Sequence, residues 1–93
     1  MYEVTDEFAA LRQAEQAFDA DQSIPALGTL QAAERVYFAA LGAARAAFNA
    51  LPDGDTKYRA EENAADTEGT DIDQLKFFRA VLSTHQYLLD TAA

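Results

Sequence analysis

The stretch that most constrains this chain is PALGTLQAAERVYFAALGAARAAFNAL, from Pro25 to Leu51. Within it Leu27, Leu30, Glu34, Tyr37, Leu41, Ala44, Phe48 and Leu51 follow one another at spacings of three and four. That alternation places them along one side of a single helix. A second face, about 130° around the helix at about 100° per residue, carries Ala32, Val36, Ala40, Ala43, Ala47 and Ala50, whose small side chains let another backbone approach closely. Only Gln31, Arg35, Phe38, Gly42, Arg45 and Asn49 form a partly polar stripe. A helix apolar on nearly every side is expected to be buried, here as a central element with partners on two faces. Gly42 costs roughly 1 kcal/mol relative to alanine at mid-helix, which points to close approach by a neighbour. Arg45 and Asn49 interrupt the apolar run before it reaches the ~18 residues of a membrane span, so none is expected.

The flanking sequence supplies the other elements. Thr5 can cap a helix whose first turn holds Asp6 and Glu7, where the helix dipole favours negative charge. That helix is expected over residues 5–20, with Phe8, Leu11 and Phe18 on its apolar stripe. A short link follows, with Ser23 as the next N-cap and Pro25 in the first turn of a helix over 24–51. So short a link makes the first two helices antiparallel neighbours and brings Arg12 level with Glu34, which either pairs with it or faces water. Pro52 and Asp53-Gly54 end the central helix. Residues 52–69 form an acidic excursion with a short helix over 57–65, anchored by Tyr58. Thr70 or Asp71 caps a last helix over 71–90, with Leu75, Phe78, Leu82, His85 and Leu89 as its seam and Phe77, Val81, Tyr87 and Leu88 widening it. The expected fold is all-α: one domain over residues 1–93, an antiparallel three-helix bundle around the long central helix, with a short fourth helix in the excursion.

Charge narrows the function classes. The net charge is −9 and it is uneven: residues 1–22 carry six acids and one arginine, and residues 53–73 carry eight acids with Lys57 and Arg59. A protein that binds nucleic acid by neutralising phosphates needs a basic footprint, so direct binding of this kind is not expected. There are no cysteines, hence no disulfide framework and no thiolate metal site. The N-terminal residues show no basic segment followed by an apolar one, so no signal peptide is expected. The expected location is the cytoplasm, or a virion if the chain is phage-encoded.

Catalytic and metal-binding patterns fail on inspection. Asp53/Asp55 and Asp66/Glu68/Asp71/Asp73 offer hard oxygen ligands, but an EF-hand loop begun at Asp53 would have Lys57 and Tyr58 at its fifth and sixth positions and Ala64 at its twelfth. Begun at Asp66, it would have Asp71 at the sixth and Phe77 at the twelfth. His85 is the sole histidine, preceded at three residues by Leu82 rather than glutamate, and Ser83 on the same helix points elsewhere. Gly28, Gly42, Gly54 and Gly69 form no phosphate loop. No catalytic residue, metal ligand or cofactor is therefore assigned, and the chain reads as a binding protein rather than an enzyme.

The leading expectation is a non-catalytic assembly or adaptor module that packs on copies of itself or on a larger protein partner, in the manner of a small phage or virion component. Its apolar interface would use Val36, Phe38, Ala40, Ala43, Ala47, Phe77, Val81 and Leu88. The alternative is an acidic inhibitor that imitates nucleic acid and occupies the basic groove of a DNA- or RNA-binding enzyme, using Asp53, Asp55, Glu61, Glu62, Asp66, Glu68, Asp71 and Asp73.

Overall fold

Short polar side chains start the helices. The Thr5 hydroxyl accepts from the Phe8 amide at 3.2 Å and the Ser23 hydroxyl from the Ala26 amide at 3.2 Å, each satisfying a donor that a helix N-terminus leaves unpaired. The structure, a computed structural model, describes residues 4–65 and 73–92. In them lie α1 (Asp6–Ala20), α2 (Ile24–Asn49), α3 (Asp55–Ala65) and α4 (Gln74–Ala92), with no strand among the described residues. The fold is all-α. Pro25 sits in the first turn of α2, where its missing amide hydrogen is no loss. Past Asn49 the chain turns, Pro52 follows, and Gly54 at φ +148° adopts a backbone conformation that side chains rarely allow before α3 begins. Thr70 and Asp71, expected to cap the last helix, lie outside the described residues. The Asp73 carboxylate meets the first turn of α4 instead, accepting from the Lys76 amide at 3.2 Å.

The helices divide α2 between them. α1 runs back along its first half, bringing the Phe8 ring to 5.5 Å from that of Tyr37. α4 takes the second half: Tyr37 meets Asp73, Arg45 meets Gln74, and Phe48 lies 5.1 Å from Phe78, so the contacts advance together along both helices. The N-terminal ends of α1 and α4 thus meet beside Tyr37. Leu11, Tyr37, Leu41, Ala44 and Leu75 form the buried centre. These include the middle of the seam read from the spacing of three and four. A second cluster forms where α3 packs on α4: Ala60, Ala64 and Val81 are buried, with Phe48, Leu51, Phe77 and Leu88 packed around them. Tyr58 is not the anchor of α3, being 58% exposed, because the two alanines a turn apart let α3 lie close to α4.

The resulting body measures 54 × 26 × 16 Å. Packed helices stand ~8–10 Å apart and each adds a Cα radius of ~2.3 Å, so 16 Å is two helices thick. Its radius of gyration, 16.0 Å, exceeds the ~12 Å of a compact domain of this length. In so thin a body α2 is covered on one side only. This corrects the expectation of a buried central helix: Ala32, Val36, Phe38, Ala43 and Ala47 are exposed. Among the described residues no helix is long and apolar enough to cross a membrane.

Candidate functional site

The outward face of α2 follows from its own periodicity. With Tyr37, Leu41 and Ala44 turned into the core, the positions on the far side are Ala32, Val36, Ala39, Ala43, Ala46 and Ala50, again spaced by four and three, and all are exposed. Val36 is 58% exposed. No carboxylate lies on this face. Of the residues assigned to an interface from sequence, Val36, Phe38, Ala43 and Ala47 are surface residues. Ala40 is half-buried against the core, so the outward stripe is rotated slightly to include Ala39 and Ala46, which the sequence reading passed over. Phe77 and Leu88 are half-buried in the α3–α4 cluster. Val81 is fully buried and cannot contact a partner, a correction whose cause is α3: its small Ala60 and Ala64 seat Val81 in the chain's own interior. That pair of alanines in an otherwise polar segment was the signal that α3 covers α4.

A Cβ placed on Gly42 would meet nothing within 4 Å, so nothing inside this chain requires a glycine at mid-helix. The close approach expected from the sequence has no donor among the described residues.

Beside the outward face, α1 and α2 flank an open groove of about 430 Å³. Leu11, Phe18, Leu30 and Phe38 line it together with Glu15, Asp19 and Glu34. Arg12 does not neutralise Glu34: no such ion pair forms among the described residues, and the guanidinium stands 5.8 Å from the Phe8 ring centroid. Glu34 is half-buried in the groove wall.

The acids of the alternative reading are put to different uses. Asp73, counted there as acidic surface, is 1% exposed. One of its carboxylate oxygens accepts from the Thr5 amide and the Thr5 hydroxyl, both at 2.8 Å; the other accepts from the Lys76 amide at 3.2 Å and the Tyr37 hydroxyl at 3.3 Å. Two helix N-termini, each with the positive end of its dipole, converge on this one negative group, which explains how a carboxylate is held in the interior. Burial pushes the Tyr37 hydroxyl pKa above its usual range, and the Asp73 charge adds to the effect. Asp53 and Asp55 are exposed, each with a cation one turn on: Lys57 at 3.5 Å and Arg59 at 3.9 Å. Glu62 is exposed and Glu61 half-buried. Asp66, Glu68 and Asp71 lie outside the described residues.

His85 is buried on α4, as its place in the seam implied. Among the described residues no group of histidines and acids is arranged to hold a metal ion, and every buried side-chain nitrogen or oxygen has a hydrogen-bond partner. The exposed features of most chemical interest are therefore the outward face of α2 and the groove beside it. Compared with protein-family models, with curated proteins and with solved structures, the chain matches none.

Proposed function

We propose that this chain is a non-catalytic assembly module whose outward α2 face packs against a second copy of itself. The observation that carries the reading is the exposed, carboxylate-free stripe from Ala32 to Ala50 on a protein of net charge −9.

The stripe is also complementary to itself. In an antiparallel pair centred at the height of Leu41, Ala32, Val36 and Ala39 meet Ala50, Ala46 and Ala43 of the other copy, and the same pairs recur on the other side of the two-fold axis. Alanine at these positions draws the helices close together, and Gly42, near the axis, then has the neighbour it lacks within the chain.

Size-exclusion chromatography with light scattering tests the reading. At tens of micromolar the wild-type chain is expected to run as a dimer, and Ala43→Glu, which buries a carboxylate in the middle of the stripe, is expected to run as a monomer of unchanged helicity. A wild-type chain that stays monomeric up to about 100 µM, where even a weak dimer would be populated, sinks the proposal.

A further inference from the structure

The groove between α1 and α2 combines an apolar floor with an acidic rim. Leu11 is buried at its base, Phe18 and Leu30 are half-buried, and the Phe38 ring, 60% exposed, stands as one wall. Glu15 and Asp19 lie one turn apart on α1 and are exposed; Glu34 faces them from α2. None of these three carboxylates is ion-paired among the described residues. Arg35 lies beyond Phe38, so the groove and its far bank together remain negative. From Leu11 to Asp19, and from Leu30 to Phe38, the walls extend nine residues, ~12 Å of helix or about two turns.

We infer that this groove docks a basic amphipathic helix of a partner protein. The charge pattern selects that occupant. Two large apolar side chains one turn apart, ~5–6 Å from each other, fill the floor between Phe18, Leu30 and Phe38. Arginine or lysine on the flanks of the same helix then reaches Glu15, Asp19 and Glu34. A neutral apolar occupant would cover the half-buried Glu34 carboxylate without giving it a partner, which is unfavourable. An acidic segment would be repelled by all three carboxylates. The site lies beside the outward α2 stripe, and its occupation does not require two copies to pair.

The probe is a fluorescein-labelled synthetic peptide of about 16 residues, long enough to form a helix on docking, with leucines at helical spacing and arginines flanking them. Binding is read by anisotropy at about 0.15 M salt, where charges more than ~8 Å apart are screened, and the site is mapped by amide chemical shifts. Peptide binding is expected to shift Leu30 and Phe38. Glu15→Lys with Asp19→Lys should weaken it roughly tenfold or more, and Phe38→Ser to a similar extent. Asp53→Lys with Asp55→Lys makes the same charge change away from the groove and should weaken it less than about threefold.

A control peptide with serine for each leucine should bind far more weakly. Equal binding by that control, equal weakening by the remote lysine pair, shifts centred on α3, or no binding at millimolar peptide would each overturn the inference. The measurement is repeated on the Ala43→Glu chain. Peptide binding retained by a monomer supports the groove independently of self-association, and a dimer that takes no peptide rejects the groove and leaves the dimer standing.

Discussion

Asp73 shows how one side chain can tie three helices together. Its carboxylate caps α4, receives the amide and hydroxyl of the residue that caps α1, and accepts from Tyr37 on α2. Asp73→Ala would leave two part-buried amides, the part-buried Thr5 hydroxyl and the buried Tyr37 hydroxyl short of an acceptor and is expected to cost about 3–5 kcal/mol, measured by urea unfolding. A loss under about 1 kcal/mol would mean that water replaces the carboxylate and that the junction of helix ends is not a structural centre. Little of this was legible in the sequence. Asp73 is one of eight acids between residues 53 and 73, and composition alone does not separate the one that is buried from those that stay in water.

Glu7 and Arg79 make a second long-range tie, a paired hydrogen bond of 3.0 and 2.9 Å that joins α1 to α4. The Arg79 hydrogen bond holds the Glu7 carboxyl below its ordinary pKa of 4.5. A carboxyl with a depressed folded-state pKa contributes stability that is present above its unfolded value and is lost as pH falls through the folded one. Stability is therefore expected to decline below about pH 4.5, with Glu7→Gln removing its share of that decline. A Glu7→Gln chain whose acid limb superimposes on the wild type would show that the pair contributes nothing measurable.

At the scale of the helix, spacing was informative about which residues could be buried and silent about which face the chain itself covers. Thr5 and Ser23 cap as their sequence context implied, because capping is local. Tyr37, Leu41 and Ala44 are buried as the alternation of three and four required. The opposite face of α2 has the same periodicity, and only tertiary packing distinguishes the two. Leu41→Ala is expected to destabilise by roughly 2–5 kcal/mol, a methyl-lined hole in a site only 6% exposed, as read from chemical unfolding. A loss under about 1 kcal/mol would contradict a packed centre there.

Gly42 gives the complementary measurement. In the Ala43→Glu monomer, Gly42→Ala meets open space and should stabilise α2 by about 1 kcal/mol through helix propensity alone. In a pairing chain the added methyl groups meet the other helix near the axis, so the gain should shrink or reverse. Equal gains in both backgrounds would show that nothing approaches Gly42 and would count against the α2 pairing.

At the scale of the molecule, the two-helix thickness of 16 Å and the separation of charge from the outward α2 face set how assembly should respond to salt. Two copies of charge −9 repel each other at long range, and this repulsion is the main electrostatic term because the stripe itself carries no carboxylate. Raising sodium chloride from about 0.1 to 1 M shortens the screening length from ~10 to ~3 Å, which removes repulsion and leaves apolar burial undiminished. The dimer dissociation constant from sedimentation equilibrium is therefore expected to stay level or fall across that range. The groove peptide, which depends on arginine reaching three carboxylates, should weaken over the same range. Opposite salt responses from one protein would separate an apolar assembly face from a charge-selective docking groove. A dimer that dissociates steeply as salt rises would mean that ion pairs hold the copies together, and the interface would then have to be sought away from Ala32 to Ala50.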